Sequence, residues 1–224
     1  MIHPLDSRRP TCQACQRPQR TCICQWIRPT AHAVEVLILQ HPLEVDNAKG
    51  SARLLHLSLP NSRLVTGEVF DEQALWALLY APLRSGQALS KAILLYPESP
   101  EKKAANRSES GDASWNGPPS ATACDREPHQ LRLVVLDGTW RKSRKMLHLN
   151  PLLRKLPRLA LRDLPASRYR IRKAHQPDQL STLEACCHAL MQLEGSDEDY
   201  RPLLDAFDGF VAQQLEYRRA AGPL

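Results

Sequence analysis

The chain has 224 residues, 42% of them apolar and 24% charged, with a formal net charge of +6. This composition suits a folded domain with one good core, or one domain plus a small appendage, and argues against a disordered chain. No apolar run approaches the roughly 18 residues of a membrane span, and the opening residues, MIHPLDSRRP, lack an apolar signal core. No membrane association or export is therefore expected, and a cytoplasmic location is.

The charge is unevenly spread. Residues 141–173 contain twelve Lys or Arg and one acid, Asp163, whereas the rest of the chain has 18 basic and 23 acidic residues. A basic field confined to one segment of an otherwise acidic body suits a polyanionic partner such as nucleic acid. A plain solvated face is the alternative.

In chain order, the first feature is Cys12, Cys15, Cys22 and Cys24, spaced C-x2-C-x6-C-x-C. Four thiolates so close together can surround one tetrahedral Zn²⁺, and a disulfide framework fits poorly in a chain without an export signal. Residues 1–30 are thus expected to form a small zinc-binding segment. Residues 33–40, AVEVLILQ, predict a buried strand broken by HPLE at 41–44. Helical spacing of Ala48, Ala52 and Leu55 predicts a helix over 46–58, and 63–66 a short strand. A helix is predicted over 71–81 with Asp71 as N-cap, and a strand over 91–96 stopped by Pro97.

Residues 98–130 are rich in Ser, Pro, Gly, Asn and charge, and read as a long flexible insertion within the domain at 31–224. Cys124 lies in this stretch and carries no expected role. The pattern resumes with a strand at 131–136 and a helix at about 139–149. Pro151 and Pro157 punctuate the next stretch, with a short strand at 158–161 and a strand with a basic face at 167–174. Ser181 and Glu184 have capping-box spacing at the head of a helix containing Cys186 and Cys187, which read as packed thiols; a last helix covers about 200–219. Strands alternating with helices predict an α/β fold with a mainly parallel sheet and flanking helices. Gly138 stands alone, so no dinucleotide fingerprint or phosphate-gripping loop is supported.

Ligands of open α/β sheets bind beyond the carboxyl ends of the strands. Residues 94–98 and 135–140 fall there. Asp137 would sit at a strand tip, Gly138 would allow a close turn, and Thr139 would open a helix whose free N–H groups suit an anionic ligand group. Spacing alone supports helix capping by Asp137–Thr139 and core packing by Trp140 equally well. Arg141, Lys142, Arg144 and Lys145 cannot all face the core, while Met146, Leu147 and Leu149 can.

The segment LDGTWRKSRKM resembles the signature of the DTW-domain proteins. HPLE at 41–44, Asn47, LYP at 95–97, SRYRIRK at 167–173, STLEA at 181–185 and the N-terminal cysteines match that family in order. Ser143 departs from the Ala usual there. The resemblance implies a tRNA-uridine aminocarboxypropyltransferase, which moves the 3-amino-3-carboxypropyl group of S-adenosylmethionine to N3 of a tRNA uridine. For the bacterial type the target is a variable-loop uridine, position 47, and methylthioadenosine is released. It also implies a SPOUT-like fold with a C-terminal trefoil knot.

On that basis Asp137 is the candidate catalytic residue, as a base, a partner of the donor's ammonium group, or an orienting group for uracil. Leu95, Tyr96, Pro97, Gly138, Thr139, Trp140, Arg172, Ser181 and Thr182 are the candidate cofactor-binding residues, and capping alone would equally explain Ser181 and Thr182. Arg141, Lys142, Arg144, Lys145, Arg168, Arg170 and Lys173 are the candidate tRNA-binding residues. His41 and Glu44 are read as support for the site. The resemblance leaves oligomeric state open. A SPOUT-type methyltransferase and a non-catalytic zinc-containing RNA-binding module are the competing readings.

Overall fold

The structure is a computed structural model that describes residues 10–82, 89–97, 128–162, 165, 167–168 and 180–220. Five strands form one parallel sheet: β1 (Glu35–Gln40), β2 (Ser62–Thr66), β3 (Lys91–Leu95), β4 (Leu131–Asp137) and β5 (Arg158–Leu159), in the order β2-β1-β4-β3-β5. β1 and β4 are buried along their whole length, as expected of central parallel strands covered on both faces.

Alternate side chains of these strands feed two cores. Val36, Ile38, Leu133 and Val135 pack with α1 (Ala52–Ser58), α5 (Thr182–Glu194) and α6 (Arg201–Ala220). Leu37, Leu39, Val134 and Leu136 pack on the other face with α2 (Glu72–Tyr80), α3 (Trp140–Leu149) and α4 (Pro151–Lys155). Each buried aliphatic side chain contributes about 1.5–3 kcal/mol, so these two layers are the main source of stability. Among the described residues no helix is long and apolar enough to cross a membrane.

Most predicted elements are present within a residue or two. Asp71 caps α2 by accepting from the Ala74 N–H at 2.9 Å. Ser181 and Glu184 form the expected capping box. The helix predicted over 46–58 begins only at Ala52. Residues 42–44 form a 3₁₀ turn ahead of this stretch, and Asn47 then closes a local turn, its side-chain oxygen accepting from the Lys49 N–H at 3.1 Å. Such side-chain bonds compete with helix formation. Pro151 opens the short helix α4 at a first-turn position, where its missing N–H costs nothing. Of the strand predicted over 167–174, Ser167 and Arg168 are described and carry no strand. The remainder, with Arg170, Arg172 and Lys173, lies outside the described residues, as do 98–127 of the predicted insertion; residues 128–130 form a short 3₁₀ turn.

The order of strands locates a crevice. From β1 the chain moves to β2 on one side; from β4 it moves past β3 to β5 on the other. The carboxyl ends of β1 and β4 therefore flank a switch point, where crossing connections leave room for a ligand.

Candidate active site

Gln40 and Asp137 are register partners at the ends of β1 and β4. Asp137 is 5% exposed. Its Oδ2 accepts from Gln40 Nε2 at 2.9 Å, and its Oδ1 accepts from the Thr182 hydroxyl at 2.7 Å. Both donors fix the carboxylate in orientation at the floor of a cleft of about 170 Å³. Three loops line this cleft: 44–51 after β1, 137–139 after β4, and Ser181–Thr182 at the head of α5.

The turn after β4 is close-packed. A Cβ at Gly138 would lie 3.2 Å from Lys142 Cβ and 3.6 Å from His41 Cβ. Thr139 caps α3, its hydroxyl accepting from the Lys142 N–H at 3.4 Å. The heads of α3 and α5 therefore both open on the cleft, an arrangement that favours an anionic ligand group.

A second layer supports the loops. Glu44 accepts from Lys142 Nζ and from Asn47 Nδ2, each at 2.7 Å. His41 Nδ1 accepts from the Leu43 N–H at 3.1 Å, so in the neutral ring Nε2 carries the proton it gives to Glu68 at 2.8 Å. Lys145 also donates to Glu68, at 2.9 Å. These two bonds, Lys145 first, hold the Glu68 carboxyl below its ordinary range. His41 and Glu44 thus brace the site, as HPLE suggested.

The basic helix divides in two. Ser143, Met146 and Leu147 are buried and Leu149 is exposed. Lys142 and Lys145 turn back onto Glu44 and Glu68. Arg141 and Arg144 are exposed on the outer face. Trp140 is 47% exposed and is therefore not a core residue. Its ring meets Tyr96 edge-on at 5.6 Å, and the Arg158 guanidinium lies 5.3 Å from the Tyr96 ring centroid while donating to the Pro97 carbonyl. The LYP segment after β3 thus joins Trp140 in one aromatic and cationic ridge, whereas Leu95, Tyr96, Pro97 and Trp140 are not among the residues lining the cleft.

Two candidate residues are engaged elsewhere. The Ser181 hydroxyl is the α5 cap, accepting from the Glu184 N–H at 3.2 Å. Arg168 pairs with Asp208 at 2.8 Å and Asp205 at 3.3 Å on α6. Sequence reasoning missed Gln40, Lys49, Gly50 and Ser51 as parts of the site. The signals that could have found them were a glutamine ending an otherwise apolar strand and the turn-forming composition of NAKGS.

The four N-terminal thiols converge so that all their sulfur atoms lie within 4.8 Å of one another. Cys12 and Cys24 are 3.6 Å apart, and Cys15 and Cys22 3.8 Å. Tetrahedral bonds of about 2.3 Å to one Zn²⁺ require sulfurs about 3.8 Å apart, whereas a disulfide needs about 2 Å. The backbone N–H groups of Cys15 and Ala14 bring the Cys12 thiol down to about 6. Burial, then the neighbouring sulfurs, pushes Cys24 up to about 12. Crowded thiols of this kind ionise together only with a cation between them, so the set fits a metal ion. By contrast, burial raises the pKa of Cys186 and Cys187, which remain packed thiols.

The cysteine turn is docked on α6. The Trp26 ring fills the space a Cβ at Gly209 would occupy, and its Nε1 donates to Gln213 at 2.8 Å.

Comparison with known proteins accords with this arrangement. A tRNA-uridine aminocarboxypropyltransferase 2 from Macaca fascicularis is 28% identical over 214 residues, 94% of this chain and 65% of the relative. The protein of the same name from Drosophila melanogaster is 29% identical over 214 residues, 94% of this chain and 77% of the relative. A tRNA-uridine aminocarboxypropyltransferase A from Arabidopsis thaliana is 29% identical over 146 residues, 62% of this chain and 51% of the relative. The chain thus spans just under two thirds of the macaque protein's length. No solved structure gives a significant match. The DTW domain family model matches residues 9–215, taking in the cysteine turn, the strand-end acid and the basic helix together. That span is nearly the whole chain, which therefore belongs to the DTW domain family.

Proposed function

We propose that this protein is a tRNA-uridine aminocarboxypropyltransferase. It transfers the 3-amino-3-carboxypropyl group of S-adenosylmethionine to N3 of a tRNA uridine, at variable-loop position 47, and releases methylthioadenosine. The observation that carries this reading is the Asp137 carboxylate, held by Gln40 and Thr182 beneath a cleft at the switch point of the sheet.

S-adenosylmethionine supplies a methylene carbon already activated by the adjoining sulfonium. Positioning therefore accounts for much of the rate, and removal of the N3 proton for a further share. We assign that proton to Asp137, with Gln40 and Thr182 as the groups that aim it. The heads of α3 and α5, through Gly138, Thr139 and Thr182, suit the donor's carboxylate. Leu95, Tyr96, Pro97 and Trp140 form the neighbouring wall, where exposed aromatic surface suits a stacked base. Ser181 contributes by capping α5. Arg172 joins the cofactor site, and Arg170 and Lys173 the tRNA footprint, by family resemblance alone.

The uridine must be exposed or flipped out to reach the cleft. Arg141 and Arg144 on the outer face of α3 supply backbone contacts, whereas the charges of Lys142 and Lys145 are largely offset by Glu44 and Glu68. Arg168, paired with Asp205 and Asp208 on α6, joins the footprint by family resemblance alone. Reversing the charges of Arg141 and Arg144 should weaken tRNA binding and flatten its salt dependence. Filter binding across a salt series checks this, and an unchanged slope would count against the footprint.

The four cysteines close a structural Zn²⁺ site with no open position, in the segment 1–30 beside the catalytic domain 31–224. Carefully purified protein should carry about one zinc per chain by elemental analysis, and replacing Cys15 or Cys22 by serine should abolish it. The SPOUT-like knot and a cytoplasmic location belong to the same proposal. The all-parallel sheet with its cleft at the carboxyl ends supports the former in outline.

Incubation with tRNA and S-adenosylmethionine, followed by mass spectrometry of nucleosides, tests the proposal directly. The expected product is acp3U with methylthioadenosine in equal amount. Formation of S-adenosylhomocysteine and a methylated base would instead identify a methyltransferase.

A further inference from the structure

Arg17 lies in the turn between Cys15 and Cys22, away from the cleft in sequence, yet its guanidinium reaches the cleft's own loop. Nη1 donates to the Ala48 carbonyl at 2.6 Å, and Nη2 to the Gly50 carbonyl at 2.9 Å. The guanidinium carbon also stands 5.4 Å from the Phe210 ring centroid on α6. A planar fork held over an aromatic face and clasping two carbonyls is a rigid clamp.

The cysteine turn fixes where this clamp begins. The Cys12 N–H donates to the Arg17 carbonyl at 2.7 Å, and the Gln16 N–H to the Cys12 carbonyl at 2.8 Å. Gln16 takes a left-handed conformation, φ 60°, an uncommon position for a side-chain-bearing residue that the surrounding turn must enforce.

From the clamp the connection runs into the site. With Ala48 and Gly50 carbonyls drawn toward Arg17, the loop is further closed by the Gly50 N–H donating to the Asn47 carbonyl at 2.8 Å. The next residue, Ser51, accepts from the Leu183 N–H at 3.2 Å, at the head of α5. Thr182, adjacent to Leu183, is the residue that holds Asp137. Asn47 meanwhile holds Glu44.

We propose that Arg17 is a positioning residue through which the metal-binding turn sets the shape of the donor cleft. The metal centre is then a brace for ligand binding as well as for folding. Loss of the ion frees the Cys12–Arg17 turn, slackens the clamp on residues 48–50, and loosens the wall that ends at Ser51 and Thr182. The ligand class, S-adenosylmethionine, rests on the function proposed above; the coupling between turn and loop does not.

Two arms test the proposal. In the first, hydrogen exchange follows the Lys49 and Gly50 amides, which are bonded within the loop. Either stripping the metal or making Arg17→Ala with metal retained should speed their exchange, while β1 and β4 stay protected; unchanged exchange in the metal-loaded variant would overturn the clamp. In the second, calorimetry with S-adenosylmethionine should show binding about tenfold weaker in Arg17→Ala, with Arg17→Lys recovering part of the loss. Equal affinity of Arg17→Ala and the parent would overturn the link to ligand binding. A parent protein that binds no S-adenosylmethionine would remove the functional reading and leave the first arm to decide the coupling. Should Arg17→Ala shed its metal, Arg17→Lys with full metal content serves in both arms, with intermediate effects expected and parent-like values counting as refutation.

Discussion

Replacing Asp137 with asparagine should lower methylthioadenosine release by about 10²–10⁴-fold while the protein remains folded. Asparagine keeps the shape of the side chain, and its remaining oxygen can still accept from the Thr182 hydroxyl. The amide of Gln40 can rotate to offer its oxygen to the new N–H, so the hydrogen bonds beneath the cleft survive. What is lost is the negative charge and the capacity to take a proton. Single-turnover assays with S-adenosylmethionine and tRNA measure the rate, and a circular-dichroism melt reports the fold. Turnover near that of the parent would remove Asp137 from the chemistry and leave it a structural link between β4 and α5. Thr182→Val offers a graded comparison, since it leaves the carboxylate intact and removes one of the donors that aim it.

The largest effect on stability is expected at the opposite end of the sheet. Arg132 is 1% exposed and pairs with Glu35, its register partner across β1 and β4. Its Nε donates to Glu35 Oε2 at 2.8 Å, and its remaining nitrogens donate to the Leu78 and Ala81 carbonyls at the end of α2. Ser90 donates to the same carboxylate oxygen at 3.0 Å. Every nitrogen of the guanidinium is thus engaged, and the pair ties the α2 end to both central strands.

Arg132→Met should cost about 3–5 kcal/mol, because it strands a buried carboxylate with no cation beside it. For a chain of this size that is a fall of roughly 10 °C in Tm. Adding Glu35→Leu to the same chain should recover most of the loss, since two matched apolar residues avoid both desolvation penalties. A single substitution as stable as the parent, read by denaturant or thermal melts, would show that the pair contributes nothing beyond packing.

These two sites show how differently a chain reveals its parts. The apolar run of β1, the cap at Asp71 and the capping box at Ser181 obey local rules: periodicity, a side-chain oxygen before a helix, an acid three residues on. Asp137 was visible because it ends a greasy strand and precedes a glycine and a helix cap, all within four residues. The cysteine set was visible because its four thiols lie within thirteen residues of one another. Arg132 was not, since a lone arginine in LRLVVL reads as an edge charge until Glu35, 97 residues away, is seen opposite. Lys142 and Lys145 looked equivalent to Arg141 and Arg144 as basic residues on one helix. Only the positions of Glu44 and Glu68 separate the pair turned inward from the pair turned out.

Local spacing was therefore sufficient for the class of fold, the cluster of four cysteines and the strand-end acid, and the ordered motifs carried the resemblance to the family. Those features are written in short stretches, where the chain's covalent geometry limits what neighbouring residues can do. Strand order, the partners of Asp137, the burial of Arg132 and the reach of Arg17 into the cleft loop are contacts across 26 to 97 residues. No periodicity encodes them, because they arise only when packing brings distant segments into register and excludes water between them.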